Sequence, residues 1–181
     1  PCGTLYTKRR TEVEVDPGPF RRPLEYVSKG EEETLRLGAL LSRYVFPGLL
    51  VLLFGDLGAG KTVFVRGFVE GLSGSGVRSP SFTLVNEYDA AIRVTHADLF
   101  RLTFGEHVDL GLEEALEEGR VVFVEWPENW EAPPCIETWV CRLENKNAEN
   151  TDSRLVTIRG IGSKAEAALA KAKCALLEEL G

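Results

Sequence analysis

The chain contains no methionine and only two histidines, His96 and His107, in 181 residues. Its four cysteines, Cys2, Cys135, Cys141 and Cys174, form no CxxC pair and no zinc-type spacing. That argues against a disulfide scaffold and against a structural zinc site, and we expect reduced thiols in a cytoplasmic protein. No apolar run approaches the ~20 residues that cross a bilayer, so no membrane association is expected. Positive charge is also short. With 21 Lys and Arg against 28 Asp and Glu, the net charge is -7, and nucleic-acid binding driven by counterion release needs a basic surface that this composition supplies only locally. Any role on RNA therefore calls for a partner protein. With Pro1 first and no methionine anywhere, a processed or trimmed start is expected.

What is present is an ordinary globular composition, 44% hydrophobic and 27% charged, at a length suited to one domain. Residues 1–24 mix charges with Pro17, Gly18, Pro19 and Pro23 and lack a sustained period, so we expect a tail there and a single domain over 25–181. Ser28 and Glu31 have capping-box spacing ahead of Leu37, Leu40, Leu41 and Tyr44 at helical intervals, which predicts a first helix ending near Tyr44. Leu49 to Phe54 is wholly apolar, as a strand buried on both faces must be. A glycine-rich segment follows, then a helical stripe of Phe64, Phe68 and Leu72. Strands are expected over 84–88, 92–98, 121–125, 139–143 and 155–158, the last two separated by a polar, Asn-rich turn. Short helices are expected in the acidic stretch 104–118, and Ala165, Leu169, Ala172, Leu176 and Leu180 predict a closing amphipathic helix. The alternation of strands and helices predicts an α/β fold with a mixed, mainly parallel sheet flanked by helices.

The strongest chemical signal is Gly55-Asp56-Leu57-Gly58-Ala59-Gly60-Lys61-Thr62, which satisfies G-x-x-x-x-G-K-[ST] between a buried strand and a helix start. Such a loop needs glycines because its backbone N–H groups must approach phosphate oxygens that side chains would block. Lys61 supplies charge to the β- and γ-phosphates, the helix N-terminus adds its dipole, and the Thr62 hydroxyl is placed for Mg2+. The loop and helix start, from Asp56 through Leu57, Gly58, Ala59 and Gly60 to Val63, thus form the expected contact with ATP.

A cation beside such a loop usually takes an acid from a second strand. Val121-Val122-Phe123-Val124-Glu125 delivers one at the C-terminal end where α/β sheets bind ligands. A solvated strand-terminal glutamate is the plainer alternative. His96 and Asp98, two residues apart, share a strand face. Asp98 is a candidate to orient water, hold a cation-bound water or act as base, whereas His96 reads equally well as a hydrogen-bonded core residue. Arg101 is a candidate to neutralise phosphoryl charge in cis or to form a surface ion pair.

In this order the motifs resemble those of the TsaE (YjeE) family, the P-loop ATPase component of bacterial tRNA threonylcarbamoyladenosine synthesis. Gly55 to Thr62 resembles the family's GDLGAGKT loop. Ser79-Pro80-Ser81-Phe82-Thr83-Leu84 with Glu87-Tyr88 resembles its SPTFTL segment, and His96 to Arg101 its HxDLYR segment. Glu125-Trp126-Pro127-Glu128 is similar to its EWPE segment, and Gly111-Leu112-Glu113 to an acidic motif between them. The resemblance covers about residues 26–130. It implies Mg2+ ligation by Thr62 and Glu125, catalytic roles for Lys61, Asp98, Glu125 and Trp126, and nucleotide contacts from a switch-like segment carrying Ser81 and Thr83. It further implies action on a TsaB and TsaD pair, reaching tRNA through those proteins. Three positions depart from the family pattern. Val63 stands where many members have a second threonine, Ser81 where threonine is usual, and Phe100 where tyrosine is usual. Altered nucleotide affinity is expected from these changes. Trp126 has an alternative reading as a buried anchor of the strand end. Two other classes of function share the same loop: a small-molecule kinase, which needs an acceptor pocket, and a nucleotide-gated binding module that requires no hydrolysis.

Overall fold

The computed structural model describes residues 23–102, 109–130, 132–134, 136–146 and 153–180. Most of the expected tail, residues 1–22, lies outside the described residues, as do Cys2, Cys135, His107 and most of the Asn-rich turn. Among the described residues seven strands form one sheet: β1 Leu24–Ser28, β2 Leu50–Phe54, β3 Val85–Tyr88, β4 Val94–Asp98, β5 Val121–Glu125, β6 Thr138–Asn145 and β7 Arg154–Ile161. Their order is β1-β7-β6-β2-β5-β4-β3. The four central strands β6, β2, β5 and β4 run parallel, and antiparallel β7, β1 and β3 complete the edges. The mixed sheet with a parallel centre is the expected α/β architecture.

Burial explains why the centre reads as unbroken apolar sequence. On β2, Val51 and Leu53 face one layer while Leu50 and Leu52 face the other, and none of the four is solvent-exposed. One layer holds α1 Glu31–Leu41, α2 Lys61–Gly71 and α4 Ser163–Leu180, and α3 Leu112–Glu117 packs on the opposite face. Phe68 is the hub of the larger layer, with its ring 5.1 Å from those of both Phe64 and Phe123 and 6.3 Å from Trp139. The Trp139 indole N–H reaches the Ala165 carbonyl at 2.9 Å, which ties β6 to α4. Helices α1 and α2 meet so closely that a Cβ on Gly67 would stand 2.1 Å from the Leu35 carbonyl oxygen.

Two local expectations are corrected. The capping box of Ser28 with Glu31 does not form, because the chain stays extended in β1 as far as Ser28. Glu33 instead accepts from the Lys29 N–H at 2.8 Å, and Ser28 shares a buried hydroxyl bond with Thr34 at 2.7 Å. Glu31 is turned to Arg66 on α2. The second correction is β1 itself, a short edge strand that pairs with β7. The helix expected to end near Tyr44 does so through a final 3-10 turn, Ser42–Tyr44.

Candidate phosphate and cation site

The glycine loop leaves β2 at the C-terminal end of the parallel strands. Gly55 has φ 140°, and a Cβ there would lie 2.4 Å from the Leu143 carbonyl oxygen, so the close pass of the loop over β6 requires glycine. Asp56, Leu57 and Gly58 form the exposed crest, Ala59 is buried beneath it, and Gly60 turns into α2 with a left-handed φ of 97°. No side chain caps α2 and its first turn carries no acid. The N–H groups of its first turn and its dipole therefore present a positive end to the loop.

Lys61 opens that helix and is only 4% exposed. Its Nζ donates to the carbonyls of Gly55 at 2.6 Å and Asp56 at 3.0 Å, and lies 4.1 Å from the centroid of the Trp126 ring. Burial lowers its pKa, against the opposing pull of Glu125, Asp98, Glu128 and Asp56. Val63, one residue past Thr62, adds no hydroxyl in the first turn of the helix.

Thr62 and Glu125, 63 residues apart in sequence, are in direct contact: the hydroxyl donates to Glu125 Oε1 at 2.8 Å. His96 Nε2 stands 2.9 Å from the same oxygen and is fully buried. With Glu125 ionised, that nitrogen carries the proton. Strand pairing produces this meeting, since β4 and β5 align His96 with Phe123 and Asp98 with Glu125. Alternate residues on these strands point to one face, so both acids and the histidine lie on the side of α2. Asp98 is 3% exposed. Its Oδ2 accepts from Ser81 Oγ at 2.5 Å and its Oδ1 from the Phe100 N–H at 3.0 Å.

Trp126 follows Glu125 in a left-handed conformation, φ 57° and ψ 49°, which a non-glycine residue adopts at a cost of about 1–3 kcal/mol. That turn lays its half-buried indole between Lys61 and Phe100, whose ring centroid is 4.9 Å away. The structure thus brings Lys61, Thr62, Asp98, Glu125, Trp126 and Ser81 together. It does not bring in Thr83, whose hydroxyl donates to Asn86 Oδ1 at 2.8 Å. Arg101 is also engaged elsewhere, its guanidinium 4.1 Å from the Phe82 ring centroid. Two contributors are larger than sequence reasoning assigns. His96 is a direct partner of Glu125, a contact set by the pairing of β4 with β5. Arg154, at the start of β7, donates from Nε to the Ala59 carbonyl at 3.0 Å, and no motif marks it.

Thr62 and Glu125 offer hard oxygen donors at one point, a set that suits Mg2+, which is commonly held by one or two protein oxygens together with substrate phosphates. Among the described residues no cluster of three or more His, Cys, Asp or Glu side chains is arranged to hold a metal by itself. No helix among them is long and apolar enough to cross a membrane.

The family model described as "Threonylcarbamoyl adenosine biosynthesis protein TsaE" matches residues 28–155. The chain belongs to the TsaE family. It is similar to the proteins named "tRNA threonylcarbamoyladenosine biosynthesis protein TsaE" of Rickettsia conorii, 41% identical over 122 residues covering 64% of this chain and 69% of that one, and of Bacillus subtilis, 40% identical over 107 residues covering 58% and 67%. Its Nostoc relative of the same name is 44% identical over 110 residues, 58% of this chain and 68% of that one. Among solved structures it is similar to Bacillus subtilis YdiB, with a TM-score of 0.68 and 29% identity over 84% of this chain and 95% of that one. The TsaE match spans every element that builds the site, from α1 to the first residues of β7.

Proposed function

We propose that this chain is an ATP-binding and ATP-hydrolysing subunit, dependent on Mg2+, that serves the formation of threonylcarbamoyladenosine beside the anticodon of tRNA. In this reading it works in the cytoplasm on a pair of TsaB- and TsaD-type proteins and meets tRNA through them. The observation that carries the reading is the convergence of Lys61, Thr62, Asp98 and Glu125 on a glycine loop at the C-terminal edge of the sheet, in a chain of the TsaE family.

Each residue has a task set by its surroundings. Lys61 exchanges the Gly55 and Asp56 carbonyls for phosphate oxygens, and the anion restores the charge-stabilising environment that burial withholds. Thr62 and Glu125 would hold Mg2+, which when bound draws charge off the phosphate oxygens. His96 keeps the Glu125 carboxylate aimed at Thr62. Asp98 orients the attacking water, and Ser81, bonded to it, couples the 79–84 segment to phosphate occupancy, with Thr83 farther along the same segment. The Trp126 indole lies against Lys61 and keeps bulk water from that ammonium. Such a site accelerates phosphoryl transfer by placement and charge stabilisation, so a slow basal rate that partner proteins raise is expected.

The test is ATP hydrolysis with Mg2+ by the wild type and by Lys61→Ala, each alone and with an added TsaB and TsaD pair. A low wild-type rate that rises with the pair and vanishes in Lys61→Ala supports the reading. A rate indifferent both to the pair and to the substitution removes it.

A further inference from the structure

Arg154 lies outside every motif of the phosphate loop and yet touches it. It opens β7, and by strand alternation it shares a face with Val156 and Ile158, both buried in the layer that holds α1, α2 and α4. From there it reaches the loop 95 residues away in sequence, donating from Nε to the Ala59 carbonyl at 3.0 Å. The fit is tight: a Cβ placed on Gly60 would lie 3.2 Å from Arg154 Nε and 3.4 Å from its Cδ.

The geometry of the peptide unit gives this contact a consequence. A trans peptide points its C=O and the following N–H to opposite sides, and the described chain has no cis bond. Holding the Ala59 carbonyl against β7 therefore aims the Gly60 N–H away from β7. Thr62 Oγ1 and Lys61 Nζ turn the other way, toward Glu125 and Trp126 at the end of β5, which lies across β2 from β6 and β7.

We propose that Arg154 is a positioning residue for the phosphate cradle, locking the Ala59–Gly60 peptide so that the Gly60 N–H faces the ligand before it arrives. The proposal rests on the nucleotide reading above and assigns a hydrogen bond, as distinct from bulk positive charge, as the working interaction.

Calorimetric titration with ADP and Mg2+ tests it on the full chain and on three variants. Arg154→Gln keeps an N–H donor the same number of bonds from the backbone as Nε but removes the charge. Arg154→Lys keeps the charge without a donor at that position, and Arg154→Met has neither. The expected order is wild type, then Gln within a few-fold, then Lys and Met weakened about tenfold, the scale of one hydrogen bond. Unfolding midpoints without nucleotide accompany each titration, and should Arg154→Met not fold, the contrast between Gln and Lys decides the matter. Wild-type affinity in Arg154→Met, or recovery by Lys and not by Gln, overturns the proposal. Failure of the wild type itself to bind ADP is a separate result, which removes the nucleotide reading and this inference with it.

Discussion

Phe123 and Glu125 are two residues apart on one strand, face the same helix and are almost equally hidden from water, yet they belong to different kinds of interior. Phe123 meets Phe68 edge to face in an apolar cluster where the Trp139 indole N–H already has its partner in the Ala165 carbonyl. Glu125 meets Thr62 and His96 through a single carboxylate oxygen. The first environment stabilises the fold by excluded water and contact, terms that are lost in proportion to what is removed. The second holds groups whose burial is unfavourable unless every partner is in place. Along one strand, the interior changes from apolar to polar at its C-terminal end, beside the glycine loop.

The difference can be broken from the core side first. Phe68→Ala removes the ring that joins Phe64, Phe123 and Trp139 and is expected to lower unfolding free energy by about 3–5 kcal/mol in urea titration. Nucleotide affinity per folded molecule should stay near wild type, and a selective loss of binding would erase the distinction. Next in size is Glu125→Gln, which keeps an oxygen for Thr62 but not the charge. ATP turnover should fall about a hundredfold with the unfolding midpoint little changed. Gly67→Ala forces a methyl group against the Leu35 carbonyl and should destabilise by about 1–3 kcal/mol while leaving turnover of the folded fraction intact. The smallest effect belongs to Arg43→Ala. Its ion pair with Glu179 is largely in solvent, so no more than about 1 kcal/mol should be lost in the same denaturation assay.

The same division decides what can be read from sequence. Apolar β2 and β5, the helical stripe of α2 and the glycine loop announce themselves because a doubly buried strand and a phosphate cradle tolerate few residue types. Glu125 is legible as the acid ending an apolar strand, and Asp98 by its spacing from His96. The contact between His96 and Glu125 is not, because register between β4 and β5 is set by pairing across the sheet. Arg154 is invisible for a related reason: β7 brings it to Ala59 from 95 residues away, and one arginine carries no local signal. β1 escapes a sequence reading because five residues of half-exposed edge strand after a proline-rich stretch resemble a linker. The start of α1 is misjudged because capping propensity at Ser28 is outweighed by its pairing in β1.

The central claim is that the polar end of β5 and the loop beside it form one Mg2+-nucleotide site, and calorimetric titration of ATP into the wild type and Thr62→Val, each with and without Mg2+, addresses it most directly. The account predicts that Mg2+ tightens ATP binding to the wild type and that Thr62→Val loses most of this gain while still binding ATP without the metal. Equal dependence on Mg2+ in both proteins, or no ATP binding by the wild type, would contradict it.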